Sequence, residues 1–325
     1  MSFRMHAVKT LLAVTVLAAC AVSHAQDYPA RPVTIVEPFP PGGAGDVVVR
    51  YMAQEFTKLL GGSFIVDNRA GAAGSIGTEY VARAAPDGYT LLLTSASAMS
   101  INPYLTARRG YDPFNSFAPV INVAYATNEL VVTTSLPYKS VGEVIAAARA
   151  EPGKLAFASN GAGTLSHLIG EMFMQQAGVR MLHVPYKGAA PAVADTVAGQ
   201  TSILFTNYAS VTPMVKAGKL RGLAITSLKP TPLAPGLPAI AQSGLPGFEA
   251  VQWWGLWGPA GLPPAVVQRL NTAANKIMSS PETVKYFNNQ GIELFGGTPA
   301  DLTTYLRADY NRWGQVIKAA GIKAE

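Results

Sequence analysis

Val33-Thr34-Ile35-Val36-Glu37-Pro38-Phe39 runs straight into Pro40-Pro41-Gly42-Gly43-Ala44-Gly45-Asp46, and then into a periodic segment ending near Leu60. The first stretch, Val33–Phe39, reads as a buried strand. The last carries Val48, Met52, Phe56 and Leu59 on one helical face. The Pro- and Gly-rich stretch between them is a turn. A strand, a tight glycine turn and an amphipathic helix make the opening unit of an α/β fold with a mostly parallel sheet.

The same rhythm continues outward. Ser63–Asp67 is predicted as a strand, Asn68–Gly74 as a second Gly-rich loop into a helix, and Tyr89–Thr94 as a third strand after Pro86-Asp87-Gly88. The pattern changes near Ile121–Asn128 and restarts with a strand at Glu129–Thr134. Ser140 and Glu143 form a helix-capping pair. Lys154–Ser159 is a strand, followed by the loop Asn160–Gly163. The helix after it has Leu165, Leu168, Ile169, Met172 and Phe173 at helical spacing. Thr201–Thr206 and Leu220–Thr226 are further strands, and Pro230–Pro238 marks a crossing back. Val251–Gly258 is an aromatic strand; stacking on a sugar is one reading of its tryptophans, and core packing the better one, since alternation puts Trp253 and Trp257 on one face. Thr298 and Pro299 open the last helix. The expected architecture is two α/β lobes with helices on both sheet faces: residues 26–125 plus 226–325 in one lobe and 126–225 in the other.

Residues 1–25 read differently. Arg4 and Lys9 precede an apolar run from Leu11 to Val22, and Ser23-His24-Ala25 is a small-x-small cleavage pattern. That order is an export signal, with cleavage expected before Gln26. Leu17-Ala18-Ala19-Cys20 is a competing lipoprotein box that would leave Cys20 as the acylated first residue. Cleavage after Ala25 removes Cys20, the single cysteine, and so excludes disulfide and thiolate chemistry. It also removes Arg4 and Lys9, which lowers the formal charge from +6 to +4. The basic residues are scattered, so nucleic acid is not an expected partner. A mild positive field suits an anionic solute.

Three strand-end loops carry the candidate site. The first supplies Phe39, Gly42, Gly43, Ala44 and Asp46. Glycines at a helix start let backbone N–H groups point at an anion, where the helix dipole also helps. The sequence is neither a phosphate-binding P-loop nor a G-x-G-x-x-G fingerprint, and a plain tight turn is the competing reading. The second loop supplies Ser159, Asn160, Gly161, Gly163 and Thr164, with Thr164 alternatively a simple N-cap. The third supplies Ser95 and Ser97. In doubly wound sheets ligands bind outside the carboxyl ends of the strands, so facing lobes would place these loops in one cleft. Asp46 reads as a helix cap or as a partner for a ligand ammonium. His167 reads as a structural residue or as a cleft contact. With His167 and His183 the only histidines after residue 25, no multi-histidine metal site can form. No nucleophile elbow, H-E-x-x-H or paired-carboxylate motif is present. A non-enzymatic chain without a cofactor is expected.

Several segments carry a family resemblance: Tyr28-Pro29 with Arg31-Pro32, Pro38–Gly43, Asn68-Arg69 with Gly71 and Gly74, Ala85-Pro86-Asp87-Gly88-Tyr89-Thr90, His183-Val184-Pro185-Tyr186-Lys187-Gly188, and Gly244-Leu245-Pro246-Gly247. Together they resemble the substrate-binding proteins of tripartite tricarboxylate transporters, the Bug receptors, over essentially the whole chain after the leader. The resemblance implies a periplasmic, two-lobed binding-protein fold with two crossover strands. It implies a small organic carboxylate held by the Gly-rich loops through backbone N–H groups and water. It also implies delivery to the large and small membrane subunits of a permease, with a sensor kinase as the alternative partner. A monomer is expected. Two positions depart from the family pattern: Gly45 stands where Thr or Ser is frequent, and Thr206-Asn207 where Asp-Asn is frequent. Asn207 remains a candidate contact.

Overall fold

The computed structural model describes residues 28–106 and 110–322. The expected export signal, with its cleavage pattern at Ser23-His24-Ala25 and Cys20, lies outside them.

The first alternation is β1 (Val33–Glu37), α1 (Ala44–Leu60), β2 (Phe64–Asn68), α2 (Ser75–Ala82) and β3 (Thr90–Ser95). A short α3 (Asn102–Leu105) leads into the long β4 (Phe117–Thr133). The second alternation is α4 (Val141–Ala150), β5 (Ala156–Ser159), α5 (Leu165–Ala177), β6 (Leu182–Pro185), α6 (Ala189–Val197), β7 (Ile203–Asn207), α7 (Tyr208–Lys216) and β8 (Leu220–Ile225). The chain closes with β9 (Val251–Pro259), α8 (Pro264–Met278), α9 (Pro281–Asn289), β10 (Glu293–Leu294) and α10 (Pro299–Ala320). The strand order is β2-β1-β3-β9-β4-β7-β5-β6, with β8 and β10 also pairing with β4.

The sequence suggested an interruption near Ile121–Asn128. Instead β4 runs unbroken through that region. Its first half pairs with β9, ending at Thr127 opposite Val251. Its second half pairs with β7 and β8, starting at Asn128 opposite Asn207. The polar run Thr127-Asn128-Glu129 looks like a break because it spoils the apolar pattern. The structure buries it and pairs its backbone. The Asn128 N–H donates to Thr226 Oγ1, and Ser227 N–H donates to Thr127 Oγ1. The return crossing lies beside it, where Ala250 N–H donates to the Thr226 carbonyl.

Each half has its own core. In the first, Val48, Val49, Met52 and Phe56 of α1 pack on Val33, Ile35, Leu91 and Leu93. The opposite face of that sheet is filled by Trp253 and Trp257 with Leu302 and Leu306, as the alternation along β9 required. In the second, Leu168, Ile169, Met172 and Phe173 of α5 pack on Phe157 and Phe205. Phe248, and Trp313 and Ile317 of α10, complete that second core. Each such fully buried side chain contributes about 2–3 kcal/mol of transfer free energy.

Helix starts follow local chemistry. Thr298 caps α10, its Oγ1 accepting from Asp301 N–H while the Asp301 carboxylate accepts from Thr298 N–H. At α4 Ser140 Oγ accepts from Glu143 N–H, but the Glu143 carboxylate turns one residue further, to Lys139 N–H. Among the described residues no helix is long and apolar enough to cross a membrane.

Candidate functional site

Strand direction decides where the loops go. β1, β2 and β3 are mutually parallel, and β3 and β4 both run against β9, so the three run in the direction of β4. β5, β6 and β7 run against β4. Because β4 passes from the first half to the second, the carboxyl ends of the two strand sets point at each other across its middle. Register gives the spacing. Ser95, at the end of β3, lies level with Trp254 and through it with Ala124. Asn207, at the end of β7, lies level with Asn128. The interval from Ala124 to Asn128 spans about 13 Å at roughly 3.3 Å per residue of strand. A crevice on that scale admits a small molecule.

The first loop opens α1 with Gly43 as an extended N-cap lacking any side-chain cap. Among the described residues, the N–H groups of Gly43, Ala44, Gly45 and Asp46 meet no acceptor. The Asp46 carboxylate turns away from them. It accepts from Gly42 N–H at 3.0 Å, from Arg50 Nε at 2.8 Å and from Asn68 Nδ2 at 3.0 Å. Burial works to raise its pKa, but the hydrogen bonds from Arg50, Gly42 and Asn68 outweigh burial and hold it below the ordinary value. Asp46 therefore shapes the turn and spends the Gly42 N–H. The half-buried Phe39 ring packs against Gly74, where a Cβ would stand 2.9 Å from Phe39 Cζ.

That contact brings in a loop the sequence left out of the site. In Gly71-Ala72-Ala73-Gly74 all four residues have positive φ, 47° at Ala72 and 51° at Ala73. Alanine there costs about 1 kcal/mol or more per residue, a strain typical of ligand loops. The loop is pinned by Asn102, whose Nδ2 donates to the Ala72 carbonyl and to Ser75 Oγ. A G-x-x-G spacing at a strand end was the available signal. Ser95 is buried opposite Trp254, and Ser97 is half-buried at the start of the π-turn Ser97–Ile101.

The second loop opens α5. Gly163 N–H donates to His167 Nδ1 at 3.0 Å, so that amide is spent inside the loop. Thr164 is the N-cap, accepting from His167 N–H. The N–H groups of Ala162, Leu165 and Ser166 meet no acceptor among the described residues. Ser159 is fully buried, with its Oγ 2.7 Å from His183 Nε2 and accepting from Gly161 N–H. Asn160 Nδ2 reaches Thr206 Oγ1 at 3.5 Å, while its Oδ1 is buried without a partner. His167 is buried and lies flat on His183, with ring centroids 3.9 Å apart. Burial, helped by His167, pushes the His183 imidazole down to about 4 and keeps it neutral. Asn207 caps α7 by accepting from Ala209 N–H. The turn after β6 is tied in through Tyr186 N–H to the Ser159 carbonyl and Gly188 N–H to the Asn160 carbonyl. Lys187 in that turn is exposed.

Two α/β lobes spanned by one long strand, with opposed helix starts whose amides are unspent, define a solute-binding receptor. The chain belongs to the tripartite tricarboxylate transporter family of receptors, whose family model matches residues 48–322. Protein BugT of Bordetella pertussis is 36% identical over 300 residues, covering 92% of this chain and 92% of BugT. The structure of Rpa4515 from R. palustris with adipate is 37% identical, with a TM-score of 0.76, covering 92% of this chain and 100% of that one. MatC from Rhodopseudomonas palustris with bound malate is 28% identical, with a TM-score of 0.71, covering 89% and 99%.

Proposed function

We propose that this receptor captures a small organic carboxylate in the periplasm, between its two lobes, and hands it to the large and small membrane subunits of a tripartite tricarboxylate-type permease. The carrying observation is the set of unspent amides at Gly43, Ala44, Gly45 and Asp46 on one side and at Ala162, Leu165 and Ser166 on the other. A carboxylate entering such a site loses water and gains N–H donors that are already oriented, at the positive ends of two helices. Neither loop contains an arginine, and none is required when amides do the work.

The similarity to proteins solved with adipate and malate supports dicarboxylates as first candidates. A purely binding role fits the site. Ser159 and His183 touch, but Ser159 is fully buried and so unavailable as a nucleophile.

A thermal-shift panel of carboxylates, led by adipate and malate, tests this reading, because a ligand of the native state raises its apparent stability. Calorimetry should then give micromolar or tighter affinity, about −8 kcal/mol. A response to sugars alone, or to no carboxylate, overturns it. Intact mass of exported protein separates a chain beginning at Gln26 from a lipid-bearing Cys20.

A further inference from the structure

β1 ends in a buried acid. Glu37 is 1% exposed and shares with Val33 and Ile35 the sheet face that packs under α1. Its Oε2 has no hydrogen-bond partner. Its Oε1 occupies the place where a Cβ on Gly45 would stand, and Trp254 Nε1 lies 2.9 Å from that same point. Gly45 belongs to the first turn of α1, between the unspent amides of Ala44 and Asp46. Any side chain at position 45 would displace the Glu37 carboxyl. The glycine at position 45 is thus what makes room for the acid.

The groups facing Glu37 are few. From α1 come Asp46 and, bonded to it, Arg50. β2 brings Asn68, β3 brings Ser95 and β9 brings Trp254, none of which titrates in this range. Asp67, paired with Arg69, lies on the opposite sheet face. α8 meets this core through Leu270, Ala273, Ala274 and Ile277. Burial first, and the Asp46 carboxylate second, push the Glu37 carboxyl up to about 8.

We propose that Glu37 makes carboxylate capture proton-linked: protonated, it leaves the amides at the start of α1 to the bound anion, and ionised, it repels that anion. The inference rests on the carboxylate-capture reading and adds to it a residue that sets when the site accepts charge. Oε2 has no donor to offset an ionised Glu37, so a second negative charge just above it is disfavoured.

Calorimetric titration with adipate from pH 6.5 to 9.5 tests this, using malate if adipate is silent. The wild-type Kd should stay level to about pH 7.5 and weaken by about fivefold or more by pH 9.5. Glu37→Gln should give a level profile, as should the double variant Glu37→Val with Gly45→Thr, which fills the same space without an acid. A sloping profile in either variant, or a level one in wild type that does bind, overturns the proton linkage and leaves carboxylate capture standing. Binding of no carboxylate of the thermal-shift panel at pH 6.5, where Glu37 is neutral, would instead remove carboxylate capture itself and this inference with it.

Discussion

The N–H of Gly163 donates to Nδ1 of His167 across 3.0 Å. Nδ1 is therefore the acceptor, and the ring proton sits on Nε2, 3.5 Å from Glu171. The loop that faces the crevice is held in shape by an imidazole behind it, itself stacked on His183. This changes the reading of the loop. Of the amides around Gly163 that the sequence offers to a ligand, the one on Gly163 itself is spent, and those left over are Ala162, Leu165 and Ser166.

Gly163 matters through its backbone. Its φ is 72°, and a Cβ would stand 3.4 Å from Leu105 Cδ1. Gly163→Val should cost about 1–3 kcal/mol of local strain and weaken carboxylate binding at least tenfold, roughly 1.4 kcal/mol. His167→Phe keeps a stacked ring but removes the acceptor. We expect it to weaken binding by a few fold, with a small loss of thermal stability. Calorimetry on both variants, with a melting curve for each, checks this. Unchanged affinity in Gly163→Val would take the second loop out of the site.

Asp46→Ala tests the first loop. Removing the carboxylate frees Gly42 N–H, Arg50 and Asn68 together. The expected loss is about 1–3 kcal/mol, read from urea unfolding at pH 7. Because the folded pKa is depressed, the stabilisation is present above the unfolded value near 4 and fades as pH falls through the folded one. The gap between wild type and Asp46→Ala should therefore narrow in acid. A gap that does not change down to pH 3 would mean that the carboxylate contributes nothing as an ion.

Much of the fold was legible because it is local. Strand, glycine turn and helix follow one another at Val33–Leu60, and the helix face of Leu168, Ile169, Met172 and Phe173 is the one the core receives. Asp46 reads from the sequence as a cap on the N–H groups of its own helix, but its carboxylate takes the N–H of Gly42, four residues back and outside the helix, and α1 has no side-chain cap. What escaped depends on long-range register. β4 hides its continuity because Thr127 and Asn128 find partners about a hundred residues on, at Thr226 and Ser227. The stacking of His167 on His183 and the packing of Phe39 on Gly74 join separate strand ends. The strands that carry Glu37 and Glu129 were legible, but nothing local announces that a glycine elsewhere leaves each acid a buried berth.

Glu129 sets a pH dependence of stability. It is fully buried, neither carboxyl oxygen has a partner, and Oε1 stands where a Cβ on Gly222 would be. Burial pushes its pKa up to about 8. Between the unfolded value near 4.5 and that folded value, the folded state holds a proton that the unfolded state has released. Stability should then fall as pH rises through that window, by on the order of 3 kcal/mol by pH 7. Glu129→Gln should flatten much of the fall and melt higher than wild type at pH 8. Equal pH slopes for the two proteins would show that Glu129 ionises normally in the fold.

The crossing between the halves is where a closing motion would have to bend. Thr226 ties both passages together there. Its N–H donates to the Asn128 carbonyl at 2.9 Å, its Oγ1 donates to the Ala250 carbonyl at 2.6 Å, and Oγ1 accepts from Asn128 N–H at 3.0 Å. A small rotation about this buried point would bring the amides of Gly43–Asp46 and Ala162–Ser166 onto opposite ends of one anion. Solution scattering of wild type should show compaction when adipate or malate is added. Thr226→Val removes the hydroxyl and leaves Asn128 N–H buried without that acceptor, at a cost of about 1–3 kcal/mol. It loosens the pivot without touching either loop. We expect it to weaken binding by a few fold through a less well ordered closed state, with the loop geometry intact. If wild type binds at full affinity and does not compact, the lobes do not clamp, and the two helix starts cannot be sharing one ligand.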